Sequence, residues 1–223
     1  MSTKYADLHR HLAFAVVGGF FGGYAVLSRC GVMANAQTMN LMEMVLDALG
    51  GKGTSALLRL LCVVIYIAGA MSTVLLPRLL GVNMRRLTPL IDALAAVAVA
   101  FMPENCPVVV SLYPIFFAMS VQYSAFAGAR GYSSSSTFCT NNTRQTALAL
   151  ANFLCDRDRE QLRKAGFFAA TLLFFHLGAM VSFFAVNFHA YRGALWALPL
   201  IAVTYVMVRR EELAQREQEQ TAA

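Results

Sequence analysis

Six apolar stretches, residues 12–27, 56–76, 87–102, 107–129, 166–188 and 193–208, alternate with short polar segments along the chain. Their length and continuity predict membrane-crossing helices. Three of them are only 16 residues long, below the ~20 that cross a ~30 Å hydrocarbon core, and so need flanking residues or local thinning of the bilayer. Two shorter and more polar helical runs, 41–49 and 143–154, each follow a polar signature: Ala34-Asn35-Ala36-Gln37-Thr38-Met39-Asn40 and Thr137-Phe138-Cys139-Thr140-Asn141-Asn142. The two Thr-x-Asn units lie 102 positions apart, and each is preceded by an apolar stretch ending near Tyr24 or Tyr123, then an arginine (Arg29, Arg130) and a glycine (Gly31, Gly131). Gly69-Ala70-Met71 and Gly178-Ala179-Met180 repeat at a spacing of 109, so the second copy carries a connection seven residues longer. The pattern predicts an all-α integral membrane protein with about six transmembrane helices and two short motif helices. It forms one membrane domain over 1–223, with repeat A at 8–103, repeat B at 107–208 and a charged tail at 209–223.

Composition points the same way, since 58% hydrophobic and 13% charged residues leave too little polar surface to cover a soluble globule of this length. Five scattered cysteines (Cys30, Cys62, Cys106, Cys139, Cys155) with no C-x-x-C suggest apolar fillers, with neither a disulfide framework nor a zinc site. His9, His11, His176 and His189 lack metal spacing, and no cofactor or metal is expected. The basic residues set an orientation. With six spans and a cytoplasmic N-terminus, 14 of the 18 Lys and Arg fall inside and four outside; if both motif helices also crossed, the split would be 11 to 6 with Arg144 stranded in the membrane. Six spans place both termini and the 156–164 loop in the cytoplasm of a bacterial inner membrane, and 50–53 outside. No small-x-small site follows the first span, which is therefore expected to be retained. Three spans per copy invert the second copy, so the signatures enter from opposite faces and are expected to meet near the midplane, with Thr38 to Asn40 beside Thr140 to Asn142.

Thr38 and Thr140 are placed as N-caps. Asn40, Glu43 and Asp47 share one helical face, while the second copy carries Asn142, Gln145 and Thr146 with Arg144 beside Thr140. Two accounts of this face stay open: asparagines that merely cross-link helices at ~0.6 kcal/mol each, or a passage lined by Asn35, Gln37, Thr38, Asn40, Thr140, Asn142 and a Glu43/Arg144 couple. Gly18, Gly19, Gly22 and Gly23 predict close helix contact within the fold. Pro114 and Pro199 predict kinks. Asp92, Gln122 and His176 lie in or beside spans, and Asn141-Asn142-Thr143 is a formal glycosylation acceptor expected to be silent.

The paired signatures, Met33 to Leu41 and Tyr132 to Asn142, resemble those of the YoaK family of bacterial membrane proteins, a domain-of-unknown-function family with about six helices. The resemblance runs from about His9 to Arg210. Ala34, Asn35, Ala36, Gln37, Thr38, Asn40, Cys139, Thr140 and Asn142 match the family patterns F-A-N-A-Q-T-G-N and C-T-G-N, whereas Met39 and Asn141 stand where both patterns have glycine. The family implies no activity. From the residues, the leading expectation is a small permease for a polar or anionic solute, with the lipid bilayer, that solute and further copies of the chain as partners and no nucleic acid. An accessory subunit of a larger membrane complex is the alternative. A rhomboid-like hydrolase using Gly131-Tyr132-Ser133 and His176 is a remote one, and no enzyme is expected.

Overall fold

The computed structural model describes residues 3–29 and 31–222, so Cys30 of the cysteine set lies outside the described residues. The fold is helical: α1 (Thr3–Ser28), α2 (Thr38–Leu49), α3 (Gly53–Leu80), α4 (Met84–Ala100), α5 (Val108–Ser111), α6 (Tyr113–Ala125), α7 (Thr140–Asp156), α8 (Arg159–His189) and α9 (Ala197–Ala222). A two-residue hairpin, β1 (Gly128–Ala129) and β2 (Tyr132–Ser133), interrupts them. Its central residues Arg130 and Gly131 both take positive φ, 55° and 81°, which matches the twist of paired strands. Gly31, at the corresponding point before the first signature, also turns at φ 79°.

Among the described residues, three stretches are long and apolar enough to cross a membrane: Ala6–Ser28, Gly53–Leu80 and Arg159–Gln218. The last is not one rod. At its middle Ala190 (φ 48°) ends α8 and a 3-10 segment, Ala190–Trp196, reverses the chain into α9. The most apolar of the three, α3, is also the least covered, with only 11% of its most apolar window buried. Leu57, Val64, Ile67 and Met71 on α3, and Leu173, Met180 and Phe188 on α8, point outward, while Asp92, Gln122, Asn35 and Asn142 are buried. Apolar outside and polar inside is the arrangement of a protein whose solvent is lipid.

One end of the molecule gathers the N-terminal ends of α1, α4 and α8 with the C-terminal ends of α6 and α9. Arg10 is paired with Glu211, Asn83 donates to Glu212, Phe14 stacks on Phe126 and His11 on Phe167. At the other end Tyr24 Oη donates to Tyr191 O, and Tyr113 Oη to Leu58 O.

α1 packs most closely on α8, and α3 on α6. A Cβ on Gly178 would meet Val16 O at 2.0 Å, and one on Gly69 would meet Phe117 O at 2.8 Å. The four glycines of α1 divide into two i,i+4 ridges. Gly18 and Gly22 face the chain between the helices (Ser136 O, Asn35 Nδ2), and Gly19 and Gly23 face α8 (Phe175 O, Ser182 Oγ). The glycines therefore serve contact within the chain. At the two prolines expected to kink spans, the chain breaks just before each of them and neither bends a continuous helix. Pro114 lies in the first turn of α6, after the break at Leu112, and Pro199 is the third residue of α9; a missing N–H costs nothing there. Proline lies farther inside the helix at Pro89 of α4 and Pro77 of α3.

Candidate functional site

After α1 the chain turns at Gly31 and dips back along that helix, so that Asn35 reaches Gly18. Asn35 Nδ2 donates to Gly18 O at 2.6 Å and to Thr137 O at 2.8 Å. Asn35 and Thr137 are separated by 102 residues, the spacing of the two signatures. At 1.5 Å per residue, Gly18 lies ~12 Å along α1 from Arg10 and ~15 Å from Ser28, so the two segments touch near the middle of that helix. The second segment, 134–137, is wholly buried and lies against the glycine ridge of α1.

Around this contact the side chains are neutral and polar. Ser134 Oγ is 3.0 Å from His11 Nε2 and donates to Asn142 Oδ1 at 3.0 Å; Asn142 Nδ2 donates to Ser135 O at 2.7 Å. Gln122 Nε2 donates to Phe14 O and to Ser136 Oγ. In the first copy Asn40 Nδ2 donates to Gln37 Oε1 at 2.9 Å and to Arg59 O at 3.2 Å. Three of the buried amide oxygens of these side chains have no partner among the described residues: Asn35 Oδ1, Asn40 Oδ1 and Gln122 Oε1. An unpartnered buried acceptor is a place where a donor group or water is stabilised.

The signature residues thus separate into two groups. Asn35, Asn40 and Asn142 are buried, and Gln37 is half-buried beside Cys62. Thr38 and Thr140 are exposed first residues of α2 and α7, and neither helix has a side-chain cap, so both threonines differ from the expected N-caps. No hydrogen bond joins Thr38 to Asn40 with Thr140 to Asn142 among the described residues; the meeting point lies three residues upstream. Asparagine bonds within its own copy take up the donors of Asn40 and Asn142. Met39 is exposed and Asn141 half-buried, each the second residue of its helix, which is why a side chain fits where the pattern has glycine.

The Glu43/Arg144 couple does not form. Arg59 of α3 takes Glu43 at 2.5 Å and Asp47 at 2.9 Å, and Arg144 is exposed on α7. The reason is the tight turn at 50–52: α2 and α3 fold back about Gly51, which places residues 43 and 59, each eight positions away, side by side. Arg59→Gln is therefore expected to destabilise the protein more than Glu43→Gln, because it strands two carboxylates, while Arg144→Gln stays within ~0.5 kcal/mol of wild type. A double-mutant cycle on thermal unfolding with Glu43→Gln and Arg59→Gln should show coupling; additivity would contradict the pair.

Outside this centre, Asp92 on α4 is fully buried with neither carboxylate oxygen partnered, and Arg29 stacks over the Tyr191 ring at 4.0 Å. His176 is exposed and its Nδ1 meets Leu172 O of its own helix, and Ser133 is an exposed residue of β2. Among the described residues no cluster of His, Cys, Asp and Glu could hold a metal ion.

A family model described as "Protein of unknown function (DUF1275)" matches residues 11–208. The chain belongs to that family. The match runs from within α1 to within α9 and includes both signatures, so the dipping segments and the glycine ridges lie within the family's own domain. No curated protein and no solved structure matches the chain.

Proposed function

We propose that this DUF1275 protein is a six-span permease of the bacterial inner membrane, made of two inverted copies, that passes a small polar solute where the two dipping segments meet. The carrying observation is the bond from Asn35 to Thr137, between positions one repeat apart and near the middle of α1. Non-helical backbone is tolerated there only when protein or a water-filled path satisfies it. The inverted-repeat reading is supported by an exchange of partners: α1 packs on α8 as α6 packs on α3, through Gly178 and Gly69, themselves 109 apart. Thr73 Oγ1 donates to Ala70 O as Ser182 Oγ donates to Ala179 O, at the same spacing. Six passes are supported by the helix ends, which alternate between the two faces, with the start of α1 and the C-terminal part of α9 together at the face carrying Arg10, Arg85 and Arg210.

The unpartnered oxygens favour a solute that presents N–H or O–H groups over an anion, because the charged side chains nearby, Glu43 and Asp47 against the single Arg59, leave an excess of negative charge. Thiol access tests the reading. In a variant freed of its native cysteines, Gln37→Cys and Ser135→Cys should each react with a small membrane-impermeant methanethiosulfonate from both faces of oriented vesicles. Reaction from neither face, with full reaction after denaturation, would leave a closed structural core and favour an accessory subunit.

A further inference from the structure

A second site lies away from the signatures. The N-terminal end of α1, the start of α4 and the C-terminal part of α9 enclose a cavity of about 460 Å³, within the range of small-ligand sites. Three arginines line it: Arg10, Arg85 and Arg210. Arg10 is 5% exposed and pairs with Glu211 through Nη1, yet its buried Nε has no partner. Arg85 is held close to it, because both guanidiniums sit over one ring, that of Phe126, at 5.3 Å and 5.7 Å. Two cations over one ring repel each other, and an anion placed beside both offsets that repulsion. Two carboxylates also line the cavity, Glu211 paired with Arg10 and Asp7 accepting from the backbone N–H of Arg130, so three guanidiniums face two carboxylates and the lining keeps a positive excess. Arg85 and Arg210 have no carboxylate partner among the described residues. Met207 and Ala214 add an apolar wall.

We infer that this cavity binds a phosphate group. Forked guanidiniums match the oxygens of phosphate in geometry and charge, and basic pockets between helices at the cytoplasmic surface suit phosphorylated headgroups. The phosphate can belong to an anionic lipid or to a soluble compound, and neither source depends on the permease reading. The full chain in phosphatidylcholine nanodiscs separates them. One arm adds phosphatidylglycerol to the discs; the other adds inorganic pyrophosphate to the buffer, against sodium chloride at equal ionic strength.

Saturation in either arm should raise Tm by ~5 °C or more in the wild-type chain. The Arg85→Gln/Arg210→Gln variant should bind at least ~10-fold more weakly while keeping its Tm in phosphatidylcholine alone, since both side chains are exposed. A shift with lipid only identifies a headgroup, and a shift with pyrophosphate only identifies a soluble phosphate. The inference is overturned by no shift in either arm, by an equal shift in the double variant, or by an equal loss in Arg216→Gln, whose exposed arginine lies outside the cavity lining.

Discussion

Gly178→Ala is expected to cost ~3 kcal/mol or more, enough to remove most folded protein from the membrane. The added methyl would stand 2.0 Å from Val16 O and 2.8 Å from Phe20 N, and neither is the movable end of a side chain. Relief requires α8 to move off α1 along the closest packing in the molecule, which is the overpacking case at its severe end. Gly19→Ala, at 1.8 Å from Phe175 O on the facing helix, should behave alike. Gly69→Ala meets Phe117 O at 2.8 Å and should be milder. Gly166→Ala is the control: it lies in α8 with nothing within 4 Å, so alanine should be neutral or stabilise by up to ~1 kcal/mol. Thermal unfolding of the purified variants ranks them. Equal stability of Gly178→Ala and Gly166→Ala would show that α1 and α8 are not packed as described.

That ranking also shows what the sequence made visible. Four glycines at 18, 19, 22 and 23 announce a helix that is approached closely within the fold, because only hydrogen side chains admit backbone carbonyls. The structure supplies two visitors, Ser136 O and Phe175 O. What the glycines could not say is which segments arrive, since contact partners more than a hundred residues away leave no local periodicity.

Arg59 is a different kind of miss. It lies in an apolar run and reads as an outer-loop charge, while Arg144 stands beside a signature and attracts the pairing with Glu43. Had the turn at 50–52 been taken as the tip of a helical hairpin, equal distances from Gly51 would have joined 43 to 59 from the sequence alone. The phosphate cavity had no such signal. Arg10, Arg85 and Arg210 come from three helices, and only the bundle brings them together.

Asn35 carries the second large effect, and its variants separate a donor from a mere filler. Its amide nitrogen lies between two carbonyl oxygens, Gly18 O at 2.6 Å and Thr137 O at 2.8 Å, in a fully enclosed position. Asn35→Ala removes the donor and leaves both carbonyls to the remaining protein or to water, an expected loss of ~2 kcal/mol or more. Asn35→Asp keeps the shape but sets a carboxylate oxygen against those same carbonyls, and an ionised carboxylate at membrane depth adds a further ~2.5 to 3.5 kcal/mol on insertion scales. Aspartate should therefore be worse than alanine, although it is the closer isostere. Gln37→Ala, at a half-buried position whose nitrogen meets only Cys62 Sγ at 3.8 Å, should fall well below both in effect. The measurement is thermal unfolding of the three variants. The order Asp below Ala below wild type means that the two dipping segments are held together by hydrogen bonds donated from Asn35; Asp at or above Ala would mean that Asn35 only fills space, and the link on which the permease reading rests would be gone.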